Sequence, residues 1–337
     1  MKKQTLAFFL FLLCALTARA EEPYVLKFAT LAPVGSTWMN IIAEWASKVD
    51  KESQGRLKFK FYPGGVSGDE PDMLRKIRFG QLNGAAMTGH GIGYIYSPAR
   101  VLEIPFLFRT YEEVDYVRAK MMPEIRAGFR KNDYELLGWM ELGFVRFFSR
   151  TPIHSMEDLK KRRIWLWQGD PLGMAVFSAS DISPVPLPIT EVFTSLSTGL
   201  IDTVIAPPLG AIALQWFTKT PYMTEIPMAD GIGGLVVSSK FFNKLPKDLQ
   251  ELLLRTGNEA SEKLLIETRK DNEKSLAVLK QNGVAFTLAW KDVKESDVLS
   301  IRDRAAADLA KSGYIPADIY ERARKALDEY QQKKKSP

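Results

Sequence analysis

The chain contains 337 residues, with 46 lysines and arginines against 40 aspartates and glutamates. Three of the basic residues, Lys2, Lys3 and Arg19, lie in an N-terminal segment that we expect to be removed, which leaves a formal charge of about +3. So small an excess argues against nucleic acid as a partner. The single cysteine, Cys14, lies in the same segment, so the mature chain would have neither a disulfide bond nor a thiol nucleophile.

The first residues have the pattern of a secretory signal peptide. Two lysines precede an apolar run over residues 6–16, and Ala18-Arg19-Ala20 provides the small residues that a signal peptidase accepts. The alternative is an uncleaved membrane anchor, but the apolar run is shorter than the ~20 residues that a membrane-spanning helix needs. The sequence therefore predicts that residues 1–20 are cleaved and that the mature protein is exported.

Short apolar strands alternate with amphipathic helices along the first half of the chain. Residues 24–30 and 56–62 alternate in polarity as strands do, and apolar residues from Trp38 to Val49 recur at helical spacing between them. The elements predicted next are a helix over about 70–79, a strand over 84–88, a helix that starts at the capping pair Thr110 and Glu113 and is kinked or split at Pro123, and two strands around Trp139 and Phe147.

The second half has the same alternation. The predicted elements are a strand over 163–167, a helix over 171–180, an extended proline-rich stretch, a helix capped by Thr190 and a strand within 200–208. Repeated alternation of this kind indicates an α/β fold with helices on both faces of its sheets. Two such blocks in one chain predict two lobes.

A long helix should connect these lobes. Leucines recur at helical spacing from Pro246 to the Asn282-Gly283 stop, and a helix of that length would measure about 54 Å. We therefore expect the helix over 246–282 to cross both lobes. The predicted boundaries are 21–146 plus about 235–265 for lobe I, and 147–234 plus about 266–337 for lobe II.

Several blocks of sequence are similar to a known family and occur in the same order. They include FATLAPVGSTW (28–38), YPGGVSGDEPDMLRKIRFGQLNGAAM (62–87), EIPFLF (103–108), SMEDLKKRRIWLW (155–167), PVPLPITEVFTSLSTGLIDTVIAPP (184–208) and LVVSSKFFNKLPKDLQELL (235–253). The chain resembles the solute-binding subunits of tripartite ATP-independent periplasmic (TRAP) transporters over nearly all of its mature length. The resemblance implies a two-lobed periplasmic binding protein that closes over a small-molecule ligand and delivers it to membrane permease subunits driven by an ion gradient.

The segment that should hold the ligand departs from the family pattern. Most members read D-L-K-G-L-K-I-R-V-P where this chain reads DLKKRRIWLW (158–167), and the resemblance implies that their arginine pairs with the ligand carboxylate. Trp165 stands at that position, and an indole has one N–H and no charge. Arg163 would share a strand face with Trp165, but only a register slip would bring its guanidinium to the same depth.

Other positions that the resemblance assigns to ligand contacts also differ. Ala206 replaces a polar amide, and an acidic ligand contact of some members falls near Gly89, with His90 beside it. Arg146 lies near the position of a second ligand-contacting arginine. Glu191 matches the glutamate in the S-E-V-Y pattern with which a helix of the family begins. Its alternative role is to cap that helix.

The combined loss of the arginine, the amide and the acid predicts a hydrophobic or amphipathic ligand rather than a small dicarboxylate. An unpaired buried carboxylate is costly, whereas aromatic faces favour apolar surface. The alternative is a small organic acid bound through Arg146 or Arg163. The candidate ligand-binding residues are Trp165, Arg146, Trp167, Ile189, Ala206, His90, Gly89, Trp38, Glu191 and Phe193.

Three of these candidates also have a structural alternative. Trp167 could belong to the core, His90 could be a hydrogen-bonded structural histidine, and Trp38 could be the buried start of its helix. The sequence alone leaves both roles open for each of them.

The sequence predicts a binding protein without catalytic residues, metal ligands or a cofactor. Two histidines without a mature cysteine cannot form a His-rich metal site, and the glycines at 64–68 and 89–93 do not match the nucleophile-elbow or dinucleotide spacing. The alternative of another class is an exported hydrolase that uses a carboxylate pair. Three questions about the receptor stay open. Its partner could be a sensor or an accessory periplasmic protein instead of a permease, and it could serve an ATP-driven importer instead of a TRAP transporter. It could be a monomer or a dimer formed through the helix over 316–332.

Overall fold

The computed structural model describes residues 22–335, so the predicted signal peptide lies outside the described residues. Within this range the strands are β1 Tyr24–Thr30, β2 Leu57–Tyr62, β3 Gly84–Thr88, β4 Tyr134–Ser149, β5 Trp165–Trp167, β6 Val185–Leu187, β7 Thr203–Ala206, β8 Tyr222–Thr224, β9 Ala229–Ser238 and β10 Ala285–Thr287. The helices are α1 Thr37–Glu52, α2 Glu70–Arg78, α3 Gly89–Tyr96, α4 Tyr111–Lys131, α5 Met156–Lys160, α6 Pro171–Ala179, α7 Val192–Thr198, α8 Pro208–Ala213, α9 Ser239–Phe242, α10 Lys247–Gln281, α11 Glu295–Lys311 and α12 Ala317–Lys335. No described helix combines the length and the apolarity that a bilayer crossing requires.

The first lobe is built on a sheet in the order β2-β1-β3-β9-β4. Strands β1, β2 and β3 are parallel, and β9 runs antiparallel to both β3 and β4. The alternation predicted for β1 is present, because Leu26 and Phe28 are fully buried while Lys27 between them is not. Helix α1 covers this sheet with its apolar face, and Trp45 stacks edge-on against Phe28.

The second lobe uses the last part of the same β4 strand. Residues Arg146 to Ser149 of β4 pair with β7, Phe148 and Ser149 also pair with β8, and β10 extends that sheet beside β8. A separate two-stranded sheet, β5 with β6, is joined to β7 by the bridge between Ile164 and Thr203. The predicted α/β fold with two lobes is therefore observed.

Strand β4 is continuous where two strands were predicted. Gly143 lies at a bulge in its pairing with β9 and has a φ of +96°. The glycine lets the strand change direction without ending, because a residue with a side chain rarely adopts this backbone conformation. One uninterrupted strand thus belongs to both sheets.

The long helix α10 confirms the predicted element over 246–282 and contacts elements on both sides of this bulge. Asn272 donates from Nδ2 to the carbonyl of Leu142 (2.8 Å) and accepts at Oδ1 from the backbone N–H of Leu209 (3.0 Å). Nearer its N-terminus, Thr256 accepts a hydrogen bond from Trp45 of α1. The helix therefore ties α1, β4 and α8 together.

Helix α4 is continuous through Pro123, so the predicted split does not occur, while the alternative of a kink stays a prediction. Proline lacks an N–H and strains a helix interior, but Val117, Met121 and Ile125 bury the same face of this helix in the core. Burial of that face on both sides of the proline outweighs the local cost. The predicted cap is observed, since the Thr110 side chain accepts from the N–H of Glu113.

Two further placements differ from the sequence predictions. Helix α7 begins at Val192, after a short 3₁₀ turn, and is not capped by Thr190. Helix α12 falls in the segment predicted for lobe II, but it packs on α4: the Gln331 amide donates to Glu113 (2.9 Å), and the rings of Tyr330 and Tyr116 lie 5.4 Å apart. Nothing local in the sequence specifies which lobe a terminal amphipathic helix covers. The remaining lobe boundaries stay predictions.

Replacement of Gly143 by alanine should destabilise the protein more than replacement of a glycine with similar φ in open space. A Cβ at Gly143 would lie 2.4 Å from Nδ2 of Asn272, whereas one at Gly283 (φ +83°) would meet nothing within 4 Å. We expect Gly143→Ala to lower the free energy of unfolding by about 2–4 kcal/mol and Gly283→Ala by about 1 kcal/mol. Urea unfolding of the two variants measures both values, and equal losses would contradict the close approach.

Candidate ligand-binding cleft

Two adjoining cavities of about 160 and 180 Å³ lie between the lobes. They share part of their lining, so we treat them as two halves of one cleft. The shared residues are Thr88, Leu142, Trp165, Trp167, Ile205 and Pro207.

The two halves differ in polarity. The first, which we call the polar cavity, is lined by five residues with ionisable side chains, namely His90, Arg100, Glu103, Asp170 and Asp230, among apolar residues such as Leu172, Phe177 and Met228. The second, which we call the indole cavity, contains no charged residue in its lining and adds Trp38 and Trp216 to the two shared tryptophans. The cleft therefore has one end with several charges and one that is almost entirely apolar.

Trp165 lies where the two halves meet. Its Nε1 donates to the carbonyl oxygen of Leu187 in the neighbouring strand β6 (3.0 Å), so the one polar atom of the indole is used within the second lobe. Its ring centroid is 5.1 Å from that of Trp167 and 5.2 Å from that of Trp216. What Trp165 presents to the cleft is thus aromatic surface rather than a hydrogen-bond donor.

Trp167 joins the two lobes. Its Nε1 lies 3.1 and 3.0 Å from the two carboxylate oxygens of Asp69, which precedes α2 in the first lobe. The same carboxylate accepts from the backbone N–H of Ile189 (3.0 Å) and from that of Glu70 at the start of α2 (2.7 Å). Asp69 therefore caps a helix in one lobe and binds two donors of the other.

A buried ion pair makes a second connection. Arg100, which follows α3, donates from both Nη atoms to the carboxylate of Asp170 and from Nε to Glu103 (2.7 Å). Although burial would by itself raise the pKa of Asp170, the guanidinium holds that pKa below its usual range. Asp170 is thus ionised at neutral pH and remains paired with Arg100.

His90 is buried at the same seam without a hydrogen bond of its side chain. Its ring stacks on Trp167 with centroids 5.0 Å apart and meets Tyr94 edge-on. Among the described residues, none is a hydrogen-bond partner of either ring nitrogen. Burial, the largest cause, and the charge of Arg100 lower the pKa of His90 to about 4, so the imidazole is neutral at pH 7.

The structure brings most of the candidate residues to the cleft. Those in the lining of the polar cavity are Gly89, His90, Trp165 and Trp167. Those in the lining of the indole cavity are Trp38, Trp165, Trp167, Ile189 and Ala206. Ligand contact by any of them stays a prediction.

Three candidates do not line either cavity. Arg146 donates to the backbone carbonyls of Glu225 and Phe144, both at 3.2 Å. Glu191 is exposed and its side chain does not cap α7, and Phe193 is exposed with the Lys219 ammonium 5.6 Å from its ring. The alternative arginine, Arg163, is also outside the cleft: its side chain is 58% exposed and pairs with Asp202.

The sequence did not single out the charged residues that line the polar cavity or join the lobes. Asp69 and Asp170 each precede a helix whose first turn contains proline, a pattern that indicates an N-cap and nothing more. Arg100 and Asp230 lie outside the blocks that resemble the family, and Glu103 begins the block EIPFLF without any ligand role being predicted for it. No group of three or more His, Cys, Asp or Glu within residues 22–335 could hold a metal ion.

Loss of the Trp167 N–H should favour the open form of the protein. Trp167→Phe keeps an aromatic ring next to His90 but removes the donor to Asp69, and a hydrogen bond to a charged group contributes about 1.5–3 kcal/mol. We expect the ratio of closed to open protein to fall by about tenfold or more. Trp165→Phe is the matched control, because it removes a hydrogen bond within one lobe. Small-angle scattering of both ligand-free variants measures closure, and equal radii of gyration would contradict this role.

His90 should titrate far below an ordinary histidine. The variant His154→Gln leaves His90 as the only histidine of the chain, so its imidazole resonance can be followed by NMR without ambiguity. We expect a midpoint of about 4 rather than 6.5. Because the pKa is lowered, the neutral ring stabilises the closed form above pH 6.5, and this contribution is lost as the pH falls towards 4. A midpoint near 6.5 would mean that His90 is not buried in solution.

A family model described as "Bacterial extracellular solute-binding protein, family 7" matches residues 28–297. The 2,3-diketo-L-gulonate-binding periplasmic protein YiaO of Escherichia coli is 24% identical over 287 residues, which cover 84% of this chain and 85% of that protein. A solute-binding protein of Sulfitobacter sp. is 23% identical over 313 residues, covering 89% and 92% of the two chains.

Solved structures have the same fold. The sugar acid binding protein from Advenella mimigardefordensis, in complex with galactonate, superposes with a TM-score of 0.83 at 20% identity, covering 91% of this chain and 98% of that one. A TRAP periplasmic solute binding protein from Pseudomonas putida, with bound D-glucuronate, gives 0.79 at 25% identity, covering 89% and 96%. These matches, together with the two lobes and the cleft between them, confirm the predicted resemblance. The chain belongs to extracellular solute-binding protein family 7, the TRAP solute-binding proteins, which bind small molecules and are not enzymes.

Proposed function

We propose that this protein is a periplasmic receptor for a small ligand with a largely apolar body and no free carboxylate, which it delivers to a TRAP permease. The observation that carries this proposal is that the described residues lining the cleft offer no unpaired positive charge. Among the described residues that line the two cavities, Arg100 alone has a cationic side chain, and it is already paired with two carboxylates.

A ligand carboxylate would find no adequate partner in this arrangement. Strong binding of a buried carboxylate needs charge-assisted hydrogen bonds, ideally from a guanidinium whose N–H groups are free. The Nε and Nη groups of Arg100 point to Glu103, Asp170 and the Tyr314 hydroxyl. A carboxylate beside them would also be repelled by the two acids.

The walls of the cleft favour apolar and planar surface. Four indole rings line the indole cavity, and the remaining lining there consists mostly of aliphatic side chains such as Ile42, Met87, Met140 and Leu214. Burying apolar area contributes about 25 cal/mol per Å², and tryptophan faces add favourable stacking with planar groups. This part of the cleft is suited to the body of the ligand.

The contacts between the lobes support a closure mechanism without covalent chemistry. Two sets of contacts require the lobes to meet. They are the hydrogen bonds of Asp69 with Trp167 and Ile189 and the ion pair of Arg100 with Asp170. A ligand stabilises that state to the extent that it binds the closed form more tightly than the open one. The permease would then recognise the loaded receptor by its closed shape.

A small organic acid is the second candidate ligand. It is favoured by relatives whose names or structures specify 2,3-diketo-L-gulonate, galactonate and D-glucuronate. Such a ligand would require Arg146 or Arg163 to leave its present partners and enter the cleft.

The remaining parts of the proposal concern the setting of the protein. We infer export through a signal peptide over residues 1–20, and a permease as partner, from membership of the family. A sensor or an accessory periplasmic protein as recipient, and a dimer formed through the C-terminal helix, remain alternatives.

Mass spectrometry of the compound released by denaturing receptor purified from its native periplasm tests the ligand class. We expect a compound without a free carboxylate, and we expect D-glucuronate, galactonate and succinate to give no saturable heat in calorimetry. A released sugar acid that rebinds would overturn the proposal. Arg146→Gln and Arg163→Gln are informative controls: the proposal predicts unchanged affinity for the released compound, whereas the organic-acid alternative predicts a loss of about tenfold or more in one of them.

A further inference from the structure

We propose that the polar end of the ligand is a nitrogen cation, such as an alkylammonium group, held in the polar cavity by Glu103, Asp230 and the faces of Trp165 and Trp167. This inference rests on the proposed function, because it specifies the group that accompanies the apolar body. It assigns opposite charge selectivity to that expected of a receptor for organic acids.

The first argument is the charge balance of the polar cavity. Its lining contains three carboxyl groups, those of Glu103, Asp170 and Asp230, against the single guanidinium of Arg100. Arg100 already donates to both Asp170 and Glu103. The free hydrogen-bonding capacity of the described residues that line this cavity thus lies mostly on carboxyl oxygens, so the complementary ligand group is one that donates hydrogen bonds.

The second argument is Asp230, which is fully buried in strand β9. In the part of the chain that the structure describes, no group donates a hydrogen bond to either of its carboxyl oxygens. Buried polar atoms are almost always paired, and because Asp230 is in the lining of the polar cavity, a ligand donor would pair its carboxyl group once the side chain turns towards that cavity. An ammonium group has three donors and a compensating charge.

Glu103 is a second acceptor within the same cavity. Its Oε1 accepts from the backbone N–H of Ile232 (3.1 Å) and its Oε2 from Nε of Arg100 (2.7 Å). Each oxygen retains a further lone pair, and the side chain keeps 12% of its surface exposed. These two contacts fix the carboxylate while leaving it able to accept from a ligand.

The aromatic walls select for the same charge. The face of an indole carries negative electrostatic potential, and tryptophan is the most favourable ring for a cation. Trp165 and Trp167 both line the polar cavity, and the N–H of each is already bonded, to Leu187 and to Asp69. Carboxylates and indole faces therefore act together on one ligand group.

Proton release should accompany binding of the cation. Burial, the largest cause, and the carboxylate of Glu141 raise the pKa of Asp230 well above its usual range, which favours its protonated form before a cation is bound. The ionisable groups that act on Asp230 or are acted on by it are Glu103, Tyr111, Asp115, Glu141 and Arg269. Of these, only Arg269 favours the ionised form. A bound ammonium would supply the missing positive charge.

The test uses compounds that differ only in their polar group. Ammonium, alcohol and carboxylate members are compared on 2-phenylethyl, 2-(indol-3-yl)ethyl and cyclohexylmethyl bodies, first by thermal shift of the full-length mature protein and then by calorimetry at pH 7. We expect the ammonium member of at least one body to bind about tenfold or more tightly than its alcohol and to release a proton. Failure of every ammonium member to bind would overturn the inference.

Two variants locate the effect. Asp230→Asn should remove about tenfold or more of the ammonium affinity and the proton release, with alcohol binding nearly unchanged. Glu103→Gln provides the same comparison if Asp230→Asn does not fold. Asp202→Asn is the control, because Asp202 pairs with Arg163 outside the cleft and should leave the preference intact.

The outcomes separate this inference from the proposed function. If the alcohol binds as tightly as the ammonium compound, the apolar-ligand proposal stands and the cation is wrong. If a carboxylate member binds best, both are wrong. An ammonium preference that survives in Asp230→Asn and Glu103→Gln would also contradict the site that we assign.

Discussion

The buried ion pair between Arg100 and Asp170 is the interaction on which the cleft depends. It joins the two lobes, and it also occupies the guanidinium that an acidic ligand would need. Both ions are almost completely removed from water, so separating them without rehydration would be very costly. The same arginine therefore stabilises the closed form and, in the binding mode that we propose, disfavours a negatively charged ligand. A second connection, from Asp69 to Trp167, has a helix N-terminus behind its carboxylate, which stabilises the negative charge.

The architecture distinguishes elements that extend from one lobe into the other from elements that meet the opposite lobe through side chains. Strand β4 and helix α10 pass between the lobes, and Gly143 and Asn272 fix how they lie against each other. The segment from β5 to the start of α6 contacts the first lobe through Trp167, which donates to Asp69, and through Asp170, which pairs with Arg100. Bending about the continuous elements would break these side-chain contacts while leaving both sheets intact, which is what a receptor that opens and closes requires.

In the binding mode that we propose, several residues bind the ligand, whereas the family resemblance implies one arginine that pairs with the ligand carboxylate. The exchange of that arginine for Trp165 removes a charge and adds an aromatic face at the boundary between the two cavities. In the binding mode that we propose, this one residue contacts both the apolar body of the ligand and the polar group next to it. The unpaired atoms of His90 and Asp230 lie at the same end of the cleft, so their burial is tolerated at the place where a ligand would bind.

The sequence by itself determined the helices and strands with strong periodicity, the N-cap of α4 and the long helix α10, while the position of Trp165 in the cleft was implied by the family resemblance. Those features depend on residues within one segment, whose spacing of three or four in helices and two in strands is visible in the chain. Only the tertiary structure decided that β4 is continuous, that Arg146 lies outside the cleft and that α12 covers α4. It alone also pairs Asp69 with Trp167 and Arg100 with Asp170, which are 98 and 70 residues apart, because no local pattern encodes partners brought together by packing of separate elements.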